Sequence, residues 1–121
     1  QWDDHEVRND WFPGQAIDDP LYTARSVDEL APHARRAFYE HQPTLRLPSA
    51  PMYRSLRWGP RLEVFFVDGR TYRTPNYLSA TAGPPEHQHF FGHEQLAWLE
   101  EAVSRSTATW KVVACDMPIG L

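Results

Sequence analysis

The densest group of side chains able to bind a metal or move a proton lies in the opening residues, QWDDHEVRND. Asp3, Asp4, His5 and Glu6 are consecutive, and Asn9 follows closely. Carboxylate and amide oxygens suit hard cations such as calcium, magnesium or ferric iron better than zinc. In an extended loop, one carboxylate and the next-but-one residue can converge, while the others orient them. These residues alone leave two alternatives, a metal-binding loop and a solvated acidic loop.

A second candidate cluster is Glu86-His87-Gln88-His89 with His93, an H-x-H-x3-H pattern that could bind a transition metal. The alternative is a solvated loop ahead of a helix, and we favour that interpretation. The remaining histidines of interest, His33 and His41, are expected on the surface of the first helix.

Two helices are predicted, each with a recognisable start. Ser26 opens the capping box S-V-D-E. Because proline disrupts a helix interior, we expect one short turn and then a helix from about Pro32 to His41. A second helix is predicted from Gly92 to about residues 104–106, where apolar residues recur at helical spacing.

Three strands are predicted around these helices. Residues 52–59 alternate between apolar and polar, and residues 61–68 form a nearly continuous apolar run after Gly59-Pro60. This pattern predicts a hairpin whose second strand is buried on both faces. Residues 110–115, WKVVAC, predict another short buried strand, so the order of elements indicates a layered α/β fold with a mixed sheet. The tryptophans expected to pack the core or hold loops are Trp11, Trp58, Trp98 and Trp110.

Composition excludes several classes of function. The 121 residues fit one domain, and the net charge of −4 gives no footprint for nucleic acid or an anionic membrane. One cysteine, Cys115, allows no internal disulfide, and no apolar run is long enough to span a bilayer. Because the chain lacks an initiator Met and opens on motif-like residues, we expect residues 1–121 to be an internal slice of a longer protein.

Four segments of the chain, in order, resemble the PhoD-like alkaline phosphatases of the metallophosphoesterase superfamily. Residues 2–9 resemble the signature W-D-D-H-E-V-x-N, and residues 68–73 resemble D-x-R-x-Y-R. Residues 92–99 resemble G-x-E-Q-x-x-W-L, and residues 110–119 resemble a W-K-V strand with the loop that follows it. Because these segments match in register over almost the whole chain, together they are more specific than any one alone.

The resemblance implies a four-layer α/β/β/α sandwich with a mixed sheet, of which this chain is a partial catalytic domain. It implies an alkaline phosphatase of phosphate acquisition, which hydrolyses phosphomonoesters or phosphodiesters with metal-activated water. It also implies calcium and ferric iron, with the iron ligands outside these residues, so the slice alone is expected to be inactive. A secreted, periplasmic or cell-surface location is implied as well. The alternative is a non-catalytic metal- or ligand-binding α/β domain.

The resemblance also assigns roles within the opening residues. In the wider superfamily, a G-N-H-[D/E] block supplies a metal ligand at its second position and a phosphate-facing histidine at its third. Laid on this sequence, it makes Asp4 a metal ligand and His5 the catalytic residue that hydrogen-bonds phosphate or protonates the leaving oxygen. A carboxylate in place of the superfamily's Asn is consistent with calcium. Asp3 and Asn9 are further ligand candidates, and Asp3 or Glu6 would orient the others.

Residues after the second predicted strand are candidates for the substrate pocket. Asp68 and Arg70 either line the pocket or form a structural ion pair that anchors the loop, and we favour the ion pair. Tyr72 and Arg73 are candidates for phosphate contact, because a guanidinium suits phosphate oxygens. Cys115 is expected to be a buried strand residue, since it lies in the wrong segment to be the family's iron ligand.

Overall fold

The computed structural model describes residues 2–44, 49–75 and 88–117. Its elements, in chain order, are α1 (Val27–His41), β1 (Arg54–Trp58), β2 (Leu62–Phe66), α2 (His93–Arg105) and β3 (Trp110–Ala114). The strands form one sheet in the order β1-β2-β3, in which β1 pairs antiparallel with β2 and β3 pairs parallel with it. The predicted α/β class with a mixed sheet is confirmed, and the four-layer sandwich stays a prediction.

The predicted hairpin is confirmed, because its signals are local. Gly59 adopts φ +64, a left-handed conformation that glycine takes without steric cost, and the chain reverses between β1 and β2. Trp58 then pairs with Leu62 and Arg54 with Phe66. Burial of β2 on both faces is too strong a prediction, since Phe65 is fully buried but the other residues of the strand are only half-buried.

Helix α1 starts earlier than predicted. Ser26 is its N-cap, as expected, and the Ser26 side chain accepts a hydrogen bond from the Asp28 N–H. The helix continues from Val27 through Pro32 without a separate turn. Val27 is fully buried, so the first turn is anchored in the core, and a proline this close to the N-terminus removes only one helical hydrogen bond. The prediction of a helix beginning at Pro32 is therefore wrong.

The main apolar core lies between α1 and the opening loop. Its buried members are Trp2, Trp11, Ile17, Val27, Phe38 and Met52. The Trp2 ring packs edge-to-face against Trp11 at 6.1 Å and against Phe38 at 5.6 Å between centroids. The first element of the fold begins only at Val27, but Trp2 and Trp11 fix residues 2–25 to α1 and so determine where the acidic residues lie.

Strand β3 differs from its prediction as a buried strand. Its residues Trp110 to Val113 are exposed, and Trp110 keeps 69% of its accessible surface. Trp58 on β1 is also exposed, at 73%. The core role predicted for these two tryptophans is wrong for the described part of the chain, whereas Trp11 is buried and Trp98 packs on Tyr53. Among the described residues, no helix has the length and apolarity needed to cross a membrane.

Candidate active site

The acidic opening residues form a single helical turn. The Asp4 carbonyl accepts hydrogen bonds from the N–H groups of Val7 at 2.9 Å and Arg8 at 2.8 Å. Residues four apart on a helical turn face each other, and the His5 Nε2 lies 3.1 Å from the Asn9 Oδ1. The predicted extended loop, in which alternate residues converge, is wrong here, because a helical turn brings different side chains together.

Asp4 is the buried member of the group, at 7% exposure. Asp10 ends the turn in a left-handed conformation, φ +55, which aspartate tolerates, and its N–H donates to the Asp4 Oδ2 at 2.8 Å. Burial alone would raise the pKa of Asp4, but the Asp10 N–H and the charges of Arg70 and His5 hold it below its usual value. Asp4 is therefore ionised at neutral pH.

His5 is the exposed member of the group. Its side chain keeps 79% of its accessible surface, and its Nε2 lies 3.8 Å from the Asp4 Oδ1. The Asn9 amide orientation follows from its other contact, because the Asn9 Nδ2 donates to the Asp10 carboxylate at 2.9 Å. The Asn9 Oδ1 therefore accepts from His5, which places a hydrogen on the His5 Nε2.

Arg70 lies at the centre of the carboxylates and is 2% exposed. Its Nε is 3.2 Å from the Asp3 Oδ1 and 3.6 Å from the Asp116 Oδ2, and its Nη2 is 3.6 Å from the Asp4 Oδ2. The Nη2 also lies 3.1 Å from the Met117 sulfur. Three loops thus meet on one guanidinium. The predicted structural role of Arg70 agrees with this geometry, but its carboxylate partners are these aspartates and not Asp68.

Asp68 shapes the loop that carries Arg70. Its buried Oδ1 accepts from the backbone N–H groups of Arg70 and Thr71, both at 2.9 Å. Its own backbone N–H donates to the Gln95 Oε1 at 2.7 Å, and its carbonyl accepts from the Gln95 Nε2 at 2.9 Å. Asp68 is therefore a loop-forming residue that presents Arg70 to the acidic turn.

Two contributors were not anticipated from the sequence. Asp116 accepts from the Gly69 N–H at 3.2 Å, and its side chain is completely buried beside Arg70. A Cβ at Gly69 would lie 2.6 Å from the Asp116 Oδ1, so only glycine permits this approach. Gln95 is buried at 1% on α2. Gln95 lies in the G-x-E-Q segment and Asp116 in the loop after the W-K-V strand, but their contacts join them to the D-G-R segment, which is far away in sequence.

The other predicted site residues lie around this cluster. The Glu6 carboxylate accepts from the Asp3 N–H at 2.8 Å and so supports the turn. The Tyr72 ring packs against Tyr53 with 5.7 Å between ring centroids, and burial raises the pKa of Tyr72. The Arg73 guanidinium stacks on Phe90 at 5.1 Å, and burial together with Arg70 lowers its pKa.

The remaining candidates are placed as follows. The prediction of Cys115 as a buried strand residue is wrong, because it lies just after β3 and is half-buried; burial raises the pKa of its thiol. His33 and His41 are exposed on α1, as predicted. In the histidine cluster, the rings of His89 and His93 are 4.1 Å apart, whereas His87 lies outside the described residues.

Comparison with known proteins decides the family. The model of the PhoD-like phosphatase family matches residues 1–121. The chain belongs to the PhoD-like phosphatase family. Alkaline phosphatase D of Bacillus subtilis is 31% identical to it over an alignment of 130 residues, which covers 93% of this chain and 21% of that protein. A solved structure titled "Structure of PhoD" has 28% identity and a TM-score of 0.70, and the match covers 93% of this chain and 23% of that one.

The PhoD-like chain thus spans about a fifth of the length of these relatives. Its oxygen donors suit the hard cations that the resemblance implies. Two buried carboxylate oxygens, Asp68 Oδ2 and Asp116 Oδ2, have no hydrogen-bond partner. Within residues 2–44, 49–75 and 88–117, however, no three His, Cys, Asp or Glu side chains are grouped to hold a metal ion. The described donors fit part of a hard-cation site and do not make a complete one.

Proposed function

We propose that the PhoD-like protein containing these residues hydrolyses phosphoric esters to release inorganic phosphate, and that Asp4 and His5 belong to its active site. The observation that carries the proposal is the pairing of a buried, ionised carboxylate with an exposed histidine on one helical turn, 3.8 Å apart. Family membership supports the same chemistry, because alkaline phosphatase D of Bacillus subtilis is a relative.

His5 is suited to act on a phosphate ester at its exposed edge. Its Nε2 carries a hydrogen that is donated to the Asn9 Oδ1 at 3.1 Å. When the ring carries protons on both nitrogens, the leaving ester oxygen would replace Asn9 as the acceptor and take the Nε2 proton as the P–O bond breaks, which leaves a neutral imidazole. The Asp4 Oδ1 lies 3.8 Å from the same Nε2, so the carboxylate and the imidazole share this edge of the turn.

Asp4, with Asp3 and Asn9 as further oxygen donors, would bind the calcium of a calcium and ferric iron centre whose iron ligands lie outside these residues. When bound, such metals neutralise charge on the phosphate oxygens and activate the attacking water. The Asp4 Oδ2 is held by the Asp10 N–H, which leaves the Oδ1 toward His5. Glu6 fixes the turn from the Asp3 side. Arg73, half-buried near Asp4, would attract the anionic substrate.

The proposal also covers the location of the protein and the activity of the 121 residues on their own. We infer a secreted, periplasmic or cell-surface protein from the family resemblance. We also infer that the 121 residues alone are inactive, because the described donors hold no complete metal group. Substrates are phosphate esters, and discrimination between monoesters and diesters would depend on residues around the exposed edge of His5.

The direct test is turnover of an aryl phosphate by the full-length protein that carries these residues. We expect His5→Ala and Asp4→Ala to lower kcat by at least about 100-fold, the range for a proton-transferring group. His33→Ala is the matched control, because it removes an exposed histidine from α1. Circular dichroism and melting temperature establish that each variant keeps its fold.

The outcomes separate the alternatives. Wild-type rates in His5→Ala would remove this residue from the reaction. A wild-type protein that binds calcium and phosphate but hydrolyses neither monoesters nor diesters would support the alternative, a non-catalytic metal- or ligand-binding domain.

A further inference from the structure

Arg70 is the point at which three separate segments meet. Its guanidinium contacts Asp3 and Asp4 of the opening turn at 3.2 and 3.6 Å, and Asp116 of the loop after β3 at 3.6 Å. The side chain is 2% exposed, and Met117 lies against its Nη2 at 3.1 Å. A substrate oxygen cannot reach a guanidinium that is enclosed in this way.

The two oxygens of Asp4 have different surroundings. The Oδ2 accepts from the Asp10 N–H at 2.8 Å and lies 3.6 Å from the Arg70 Nη2. The Oδ1 lies 3.8 Å from the His5 Nε2. A backbone N–H and a guanidinium on the same oxygen therefore set the rotation of the carboxylate and leave the other oxygen turned toward His5.

We propose that Arg70 is a positioning residue of this phosphatase, which holds the Asp4 carboxylate, and through it His5, in the orientation used in the reaction. The inference rests on the proposed function, because it assigns a role toward the same two residues. Arg70 acts through Asp4 and does not touch the substrate.

The chemistry of the cluster requires an arginine at this position. A guanidinium is planar and presents several N–H donors in fixed directions, so it can face three carboxylates at once. A lysine ammonium keeps the charge but concentrates it at one point, and it cannot reproduce these directions. Without any cation, Asp3, Asp4 and the buried Asp116 would repel one another.

The backbone of Arg70 is held in place by its own loop and by α2. The Asp68 Oδ1 accepts the Arg70 N–H at 2.9 Å, and Gly69 leaves room for Asp116 beside it. Gln95 of α2 holds the Asp68 backbone through both its N–H and its carbonyl. The loop after β2 and helix α2 thus hold the acidic turn in place through the buried Arg70 side chain.

The test compares Arg70→Met, which removes the charge, with Arg70→Lys, which keeps it, in the full-length protein. Arg57→Met is the control, because Arg57 also pairs with a carboxylate, Glu63 at 3.2 Å, but on the sheet hairpin. We expect Arg70→Met to lower kcat on an aryl phosphate by about 10- to 100-fold, as for residues that orient a ligand. Arg70→Lys should fall between it and wild type, and KM should change by less than about threefold.

A spectroscopic readout separates positioning from general destabilisation. The ring resonances of His5, assigned by their loss in His5→Ala, should move in both Arg70 variants and stay in place in Arg57→Met. If Arg70→Met does not fold, Arg70→Lys with the same two readouts decides.

Three results would overturn the inference: a kcat within about threefold of wild type, a rise in KM with kcat unchanged, or unmoved His5 resonances in a folded Arg70 variant. Failure of the proposed function gives a different result, because the wild-type protein would then be inactive on phosphate esters. The His5 resonances would still report whether Arg70 orients the turn.

Discussion

Asp116 is a carboxyl group whose environment disfavours its charge. Burial is the largest cause of its raised pKa, and the negative charge of Asp3 raises the pKa further. Arg70 and the Gly69 N–H lower the pKa, but only in part. Asp4, which contacts the same guanidinium, has a lowered pKa. The two carboxyls therefore contribute to stability with opposite dependence on pH.

The raised pKa of Asp116 determines how its contribution to stability changes with pH. The folded protein holds this proton more tightly than the unfolded chain, so stability falls as pH rises from the unfolded pKa through the folded pKa. We expect Asp116→Asn to raise the free energy of unfolding by about 1 kcal/mol at neutral pH, and to change it little near about pH 3. Urea unfolding of the metal-free full-length protein measures both, with the exposed Asp18→Asn as control. Greater stabilisation in acid than at neutral pH would contradict the assignment.

At the scale of elements, Gln95 connects α2 to the loop that carries Arg70. Its Oε1 accepts from the Asp68 N–H at 2.7 Å, and its Nε2 donates to the carbonyls of Asp68 and Phe91, both at 2.9 Å. Because Gln95 is only 1% exposed, water cannot replace these hydrogen bonds. A side chain on the first turn of a helix thus completes the hydrogen bonding of a buried loop.

We expect Gln95→Leu to lower the free energy of unfolding by about 2–4 kcal/mol, because it leaves two buried backbone groups of Asp68 without partners. Gln95→Glu keeps the acceptor but loses the donor, so its loss should be smaller at acid pH, where the side chain is protonated. Gln42→Leu at the exposed end of α1 is the control. Chemical denaturation measures all three. A loss below about 0.5 kcal/mol for Gln95→Leu would show that the loop does not depend on this contact.

The elements that could be predicted from sequence are those with local signals. The turn at Gly59 defines the hairpin, and Gly92 precedes α2. The start of α1 was misplaced because the burial of Val27 outweighs the local effect of Pro32. The residue types of the acidic turn identify it in the sequence. Its contacts with Arg70 could not be predicted, since pairs such as Arg70 with Asp3 are 67 residues apart in sequence.

At the scale of the whole molecule, one face of the sheet is apolar and exposed. Trp58, Leu62 and Trp110 are in register across the three strands, so their side chains share a face, and Leu56 and Val112 lie on the same face two residues along. Trp58, Leu56, Trp110 and Val112 each keep at least 44% of their accessible surface. Large exposed apolar faces mark surfaces that pack against other protein, as a second sheet would in the four-layer sandwich that stays a prediction.

The isolated 121-residue chain should therefore associate with itself and unfold over a broad range of temperature. Its apolar sheet face meets water, and β3 is an edge strand of the described sheet. We expect Trp58→Thr with Trp110→Thr to shift sedimentation toward monomer and to reduce binding of a hydrophobic dye, since threonine keeps strand propensity without the apolar area. Leu21→Thr is the control, because Leu21 is 90% exposed outside the sheet. A sharp melting transition of a monomeric wild-type chain would show that this face is stable in water, and that no second layer is needed to cover it.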